Sequence, residues 1–333
     1  YILYTSGSTG APKGVIGNHA GILNRMRWMW ETYPFTEGEV SLHMASLNFV
    51  DSLWEMFGPL LQGIPTVVID DFIAKNVHKL ISVLEEHSVS RIVLLPSLLK
   101  MLLEECGDEL KRLTNLKMCI TSGEALSADI VRLFKQTMGN CSLINLYGST
   151  EVAADATYYD TSQWEMDNGF VPIGRPIGNM RVYILTSDLK LAPIGGIGEI
   201  CVGGKGLAVG YLNMPELTNE KFIPDVFDLS GNAEKSRLYR TGDLGRFTAD
   251  GNVQFLGRMD FQINFRGYRI EPGEIEFALN RHPDVEDCLV TSVLLENNQP
   301  VLKAYLVLKN PDIPLRIEQL KMHLNKYLPQ YMI

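Results

Sequence analysis

The chain has 333 residues, 46% hydrophobic and 21% charged, so about two globular domains are expected, and disorder, collagen and coiled coil are excluded. Its 39 acids against 30 bases leave a formal charge of −9, the opposite of a nucleic-acid footprint. No apolar run approaches the ~18 residues of a membrane span. Five scattered cysteines (Cys106, Cys119, Cys141, Cys201, Cys288) form no CxxC pair, which points to ordinary thiols in a reducing, cytoplasmic setting.

From Tyr1 to Asn145, short β-branched runs alternate with helical periodicity. Pro65 to Ile69, Arg91 to Leu95 and Lys117 to Thr121 read as strands. Val77, Leu80, Ile81 and Leu84 trace the i, i+3, i+4, i+7 stripe of an amphipathic helix. Strands spaced by helices imply βαβ units and a largely parallel sheet. Between Val182 and Leu256, strand runs (Val182 to Leu185, Glu199 to Val202, Val253 to Leu256) are separated by turns such as Pro193-Ile194-Gly195-Gly196, which predicts a β-rich layer. Beyond Asp260 a helix over 273–280, strands over 287–293 and 301–308 and a helix over 317–328 predict a small α+β unit. The chain opens on the apolar run Tyr1 to Tyr4 and closes mid-pattern at Ile333. Native termini are usually polar, so a piece of a longer polypeptide is expected.

Chemistry enters with a strand that runs into Thr5-Ser6-Gly7-Ser8-Thr9-Gly10-Ala11-Pro12-Lys13-Gly14. Backbone N–H groups, hydroxyl donors and one lysine can wrap phosphates. It is not a Walker A loop, which sets Gly-Lys before Ser or Thr; here Pro12 precedes Lys13 and Gly14 follows it. Asn145-Leu146-Tyr147-Gly148-Ser149-Thr150-Glu151 comes next, followed by Gly198-Glu199 through Gly210-Tyr211 and by Tyr239-Arg240-Thr241-Gly242-Asp243. Gly257-Arg258-Met259-Asp260, Arg266-Gly267-Tyr268-Arg269-Ile270-Glu271 and Leu328-Pro329-Gln330-Tyr331-Met332 complete the series. In this order the motifs resemble those of adenylate-forming enzymes (acyl-CoA synthetases, luciferases and peptide synthetases), and most closely the adenylation domains of nonribosomal peptide synthetases.

The resemblance implies an α/β adenylate-forming-enzyme fold: a large multi-layer α/β domain with a β-rich subdomain, plus a small C-terminal α+β domain. Residues 1–258 would be the later part of the large domain, Asp260 the hinge, and residues 259–333 the hinge and a truncated small domain. It further implies that a carboxylate substrate attacks the α-phosphate of ATP, and that the product passes to a phosphopantetheine carrier domain. The loop Thr5, Ser6, Gly7, Ser8, Thr9, Gly10 and Lys13 would hold the β- and γ-phosphates. Thr150 would donate to the α-phosphate and Glu151 would ligate Mg²⁺, a hard cation suited to carboxylate and phosphate oxygens. Asp243 would accept the ribose hydroxyls. Tyr147 and Gly123-Glu124-Ala125 would flank adenine, with Asn145, Gly148, Phe255 and Arg258 near the nucleotide. Alone, a Thr-Gly-Asp turn more often marks a turn former than a ligand.

By the same resemblance, Val50, Asp51, Trp54, Leu94, Ile120, Ser122, Leu146, Ala154 and Asp155 would line the substrate pocket. Domains for α-amino acids place an aspartate after Phe49 to pair with the α-ammonium; here Val50 stands there and the acid moves to Asp51. The ordered set resembles that of β-alanine-activating domains. Phe49-Val50-Asp51-Ser52, Asn24-Arg25, Trp28 and Trp30 add likeness to the insect β-alanyl amine synthetases of the Ebony kind. Two alternatives stay open: Asp51 as an N-cap on a helix over 52–57, and Asp155 as a solvated loop acid. The family's catalytic lysine would lie beyond Ile333, so weak activity alone is expected, and Asn264 replaces a usual lysine. His19 matches a family position, and His43, His78, His87, His282 and His323 show no ligand spacing. The other readings are a stand-alone acyl-CoA-synthetase-like ligase and an inactive nucleotide-binding piece.

Overall fold

Strand and helix alternate through the first half as the hydrophobic pattern requires. The computed structural model describes residues 1–6, 12–165, 169–228, 236–259, 262–265, 268–294, 300–310 and 315–333. It divides into two compact units, residues 1–3 with 15–259 and residues 4–14 with 260–333.

β1 (Ile2–Thr5) and β2 (Lys13–Ile16) flank the glycine- and hydroxyl-rich loop, and α1 (His19–Thr32) follows. Next come β3 (Ser41–His43), α2 (Asp51–Leu60), β4 (Thr66–Val68), α3 (Asp71–Ala74) and α4 (Val77–Glu86). β5 (Arg91–Leu94), α5 (Pro96–Glu105), α6 (Gly107–Leu110), β6 (Met118–Thr121), α7 (Ala128–Thr137) and β7 (Ser142–Tyr147) continue the alternation. With β8 (Thr157–Asp160) and β9 (Arg175–Pro176) they make a seven-stranded sheet in the order β4-β3-β5-β6-β7-β8-β9, parallel through β7 and antiparallel beyond it. Polar side chains close the helix starts: Asn18, Asn76 and Ser127 each accept a backbone N–H three residues on.

Apolar layers cover both faces of this sheet. The stripe Val77, Leu80, Ile81 and Leu84 packs with Leu99, Leu102, Ile130 and Phe134 on one side, and Met26, Met29 and Trp54 lie in the cluster on the other. β6 shows the division at single-residue resolution: Cys119 joins the first cluster, Met118 and Ile120 the second, as the period of two demands.

The β-rich layer is antiparallel: β10 (Met180–Leu185), β11 (Gly198–Gly204), β13 (Phe222–Pro224), β14 (Arg237–Phe247) and β15 (Val253–Arg258), ordered β10-β11-β14-β13 with β15 also on β14. Between these, β12 (Gly210–Tyr211) pairs with Val15 and Ile16, and α8 (Pro215–Lys221) leads into β13. Glu199 bonds Arg240 (2.7 and 2.9 Å) and accepts the Gly242 N–H (3.0 Å), which ties β11 to the turn before Asp243.

In the second unit β16 (Ile263–Phe265) pairs with β17 (Tyr268–Ile270), α9 (Pro272–Asn280) follows, and β18 (Val285–Leu294) and β19 (Pro300–Leu308) form a hairpin. Its core gathers Ile270, Ile275, Leu279, Val290, Leu324, Leu328 and Met332. α10 (Ile317–Leu324) ends four residues earlier than the expected 317–328, in turns that carry hydrogen bonds on to Leu328. Pro329 disfavours helical geometry in the residue before it. Among the described residues no helix is long and apolar enough to cross a membrane.

Candidate functional site

Three neighbouring parallel strands, β5, β6 and β7, bring Leu94, Ile120, Ser122 and Leu146 to their carboxyl ends, where ligands of open α/β sheets bind. Val50, Trp54 and Ala154 are buried as well, so every apolar position expected in the pocket lining is inside. Cys106, Cys119, Cys141, Cys201 and Cys288 are free.

The acids are arranged unequally. Asp155 is 1% exposed, and its Oδ2 accepts from Nε of Arg25 at 2.6 Å, so the solvated-loop alternative is excluded. A backbone kink delivers it there. The 3₁₀ turn Thr150–Val152 ends in Ala153 and Ala154, both left-handed (φ 58° and 78°), a conformation that strains residues with a Cβ and clusters at functional sites. Gly148 makes this kink possible, since a Cβ on it would stand 1.9 Å from the Ala154 carbonyl oxygen. Glu55 is anchored through one oxygen: its Oε2 accepts from the N–H groups of Met44 and Ala45 (2.8 Å each) and contacts Nδ1 of His43 at 3.0 Å.

Asp51 is the acid left over. It is the first residue of α2, with Val50 in the cap position and no side-chain cap bond, so the capping alternative for Asp51 is corrected. Its Oδ1 is buried without a hydrogen-bond partner, as is Oδ1 of Asp155. Burial and the neighbouring Asp155 push the Asp51 carboxyl up to about 7, against the pull of Arg25. Burial likewise raises Asp155, more than Arg25 lowers it.

Arg25 is the residue that sequence reasoning undervalued, noting it only as part of a resemblance. It is 2% exposed and lies 4.2 Å over the Trp54 ring, while its Nη1 and Nη2 are buried with no partner. Its spacing was the available signal: Gly21, Arg25, Trp28 and Met29 share the buried face of α1.

On the nucleotide side, β14 and β15 bring Asp243 and Arg258 opposite each other. Asp243 Oδ1 accepts from Nη1 of Arg258 at 2.8 Å and Oδ2 from the Tyr147 hydroxyl at 2.5 Å. Burial, with Asp243 beside it, holds the Tyr147 phenol well above its ordinary pKa, so it is a donor. Phe255 stands 6.3 Å from the Tyr147 ring, so four expected nucleotide residues converge. Asn145 Nδ2 donates to the Pro172 carbonyl at 2.9 Å. Glu124 accepts from the N–H and hydroxyl of Ser97 (2.9 and 3.1 Å), fastening the start of α5; Gly123 before it is left-handed at φ 83°.

Glu151 is wholly buried and accepts from the Tyr211 hydroxyl at 2.9 Å. No three His, Cys, Asp or Glu side chains gather as a self-contained metal site among the described residues. A single buried carboxylate fits Mg²⁺, which takes one or two carboxylates and draws its other ligands from phosphates and water. Of the loop, Thr5 has a buried hydroxyl without a partner, and Ser6 and Lys13 are buried. Gly7, Ser8, Thr9 and Gly10 lie outside the described residues, as does Asp260.

Comparison with known proteins matches this geometry to a family. Among curated proteins the chain is 40% identical over 333 residues to bacitracin synthase 1 of Bacillus licheniformis, covering all of this chain and 6% of that protein. Zwittermicin A synthase ZmaJ of Bacillus cereus is 37% identical over 338 residues, with all of this chain and 62% of that protein covered, so the chain spans less than two thirds of either relative. Among solved structures, an artificially fused adenylation–PCP di-domain from Klebsiella oxytoca superposes with a TM-score of 0.84 at 27% identity, covering all of this chain and 63% of that one. The Vibrio cholerae adenylation domain AlmE, at 24% identity and a TM-score of 0.86 over 99% of this chain and 61% of that one, shares the fold. The adenylate-forming-enzyme fold, α/β with a small C-terminal domain, is therefore the fold of this chain. The AMP-binding enzyme model matches residues 1–212 and the AMP-binding enzyme C-terminal domain model residues 274–333: the chain belongs to the family of AMP-binding enzymes.

Proposed function

We propose that the chain activates an amino acid with ATP, and that the amino acid is β-alanine or another short β-amino acid. The observation that carries the substrate reading is the pair of buried, unpartnered carboxyl oxygens, Oδ1 of Asp51 and of Asp155, beside the apolar Val50. Buried acceptors without donors are costly, and an ammonium brings three donors and a positive charge. An α-ammonium directed at Val50 would find neither.

In the proposed reaction a substrate carboxylate oxygen attacks the α-phosphorus of ATP. The bond to the bridging oxygen of the β-phosphate breaks, and pyrophosphate leaves with that electron pair. Two anions approach, so fixed donors and positive charge must offset their repulsion. Lys13, Thr5 and the loop around them would hold the outer phosphates, Thr150 the α-phosphate and Asp243 the ribose hydroxyls, with Tyr147 beside the adenine and Phe255 near the nucleoside. When bound at Glu151, Mg²⁺ would neutralise phosphate charge. Delivery to a phosphopantetheine carrier domain belongs to the same proposal. Support for it comes from the likeness to an adenylation–PCP di-domain structure. The domain division at 258/259 and the hinge at Asp260 are part of it too.

The test is ATP–pyrophosphate exchange by the native polypeptide that contains this chain, scored across β-alanine, other short β-amino acids and the twenty α-amino acids. Exchange should be strongest with a short β-amino acid. Preference for an α-amino acid would refute the substrate reading while leaving ATP-dependent activation standing.

A further inference from the structure

Arg25 has no role in the activation chemistry above, yet it is one of the largest fully buried side chains of the molecule. Ordering a guanidinium in an apolar interior requires a compensating partner, and it has one: Nε donates to Asp155 at 2.6 Å, and Cζ lies 4.2 Å from the Trp54 ring centroid. Its remaining nitrogens, Nη1 and Nη2, are buried and hold no partner.

Glu55 also acts electrostatically on Asp51, but its Oε2 is already engaged by His43 and two backbone N–H groups. The carboxyl oxygens left open beside Arg25 are Oδ1 of Asp51 and Oδ1 of Asp155. One ammonium from a ligand carries three donors and can serve both. A second ammonium would compete for the same two oxygens. It would also meet Nη1 and Nη2, which are donors only, so neither partner could accept from the other. Trp54 limits where the guanidinium can retreat.

We propose that Arg25 is a specificity-determining residue, restricting the pocket to amino acids with one ammonium group and excluding short diamino acids. The proposal rests on the amino-acid reading given above but concerns the number of charges the pocket admits, not the position of the amine. Arg25 acts by holding Asp155 and by repulsion, so it is a positioning residue and not a catalytic one.

The test compares the native polypeptide with Arg25→Met, Asp155→Asn and the double variant, by ATP–pyrophosphate exchange on β-alanine and on 2,3-diaminopropionate. ATP binding, read separately, reports that each variant folds. Arg25→Met should move the ratio of kcat/KM at least tenfold toward 2,3-diaminopropionate, mainly through KM. Asp155→Asn should move it the other way, because it leaves Arg25 facing one acid. The double variant should return to within threefold of the native ratio, a rescue that lost packing could not produce. A ratio that stays within twofold in Arg25→Met, with ATP binding intact, overturns the proposal. Should that variant fail to bind ATP, Asp155→Asn decides: a shift toward the diamino acid, or none, overturns it. A native preference for an α-amino acid would sink the β-amino reading alone, and the charge rule is then scored on alanine against 2,3-diaminopropionate.

Discussion

Asp51→Asn should change stability and activity in opposite directions. The Asp51 carboxyl is held near 7 in the folded protein against 3.8 for an ordinary aspartate, chiefly by burial. Between those two pH values the folded state keeps a proton that the unfolded chain has released, so the folded state binds more protons and stability falls as pH rises through that window. At 1.36 kcal/mol for each tenfold change in proton affinity, the loss is at most about 4 kcal/mol, complete above pH 7 and absent below pH 4. An asparagine does not ionise and escapes it. The opposing loss of a first-turn carboxylate from the helix dipole is about 0.3–1 kcal/mol. The variant should therefore melt higher than the native protein at pH 8 and close to it at pH 4. Activity should fall, because an ammonium loses a charge-assisted contact worth roughly 1.5–3 kcal/mol, or about 10- to 150-fold in kcat/KM for β-alanine. Thermal melts at the two pH values, alongside pyrophosphate exchange, check both. A helix-start role for Asp51 would lower stability by about 1 kcal/mol. Lower stability at pH 8 with unchanged exchange would refute the reasoning.

Gly148→Ala should be severely destabilising, on the order of 3 kcal/mol or more, because the new Cβ meets the Ala154 carbonyl oxygen at 1.9 Å and no flexible side chain can yield; urea unfolding reads it. Asp243→Asn should raise the KM for ATP at least tenfold while changing the amino-acid preference little, since Asp243 bonds Arg258 and Tyr147 rather than the acids Asp51 and Asp155. An unchanged KM in exchange kinetics would remove Asp243 from the nucleotide site.

Local pattern was legible in the sequence wherever one period dominated. The α4 stripe Val77, Leu80, Ile81, Leu84 is buried as read, and the strands around Arg91 and Met118 begin within a residue of expectation. Partners distant in the chain were not legible. Arg25 and Asp155 lie 130 residues apart, and Tyr147 and Asp243 lie 96 apart, so nothing in local composition links them. His43 had no ligand spacing, yet it packs against Glu55 twelve residues on, through a strand-to-helix turn that sequence periodicity does not encode. Asp is a favoured cap, so a helix over 52–57 capped by Asp51 stays open in the sequence beside the ligand reading. Val50 takes that position instead, and the Asp51 side chain makes no cap hydrogen bond.

The one-residue displacement of the acid, from the Val50 position to Asp51, carries the substrate argument. Along a helix start, one residue moves a side chain about 1.5 Å along the axis and about 100° around it. On the proposed reading, the amine of a β-amino acid lies one carbon further from the reacting carboxylate, so the acid that meets it must move as well. The discrimination works mainly by penalty. Val50, 6% exposed and apolar, offers an α-ammonium nothing, and stripping a charge of water without a partner costs several kcal/mol. The same desolvation holds Asp51 near neutrality when no amine is present. On that reading, a pocket that tolerates two orphaned carboxyl oxygens sacrifices stability in the free protein, and a correctly placed ammonium recovers part of it by donating to them. The selectivity of the site and its intrinsic instability therefore have the same physical origin.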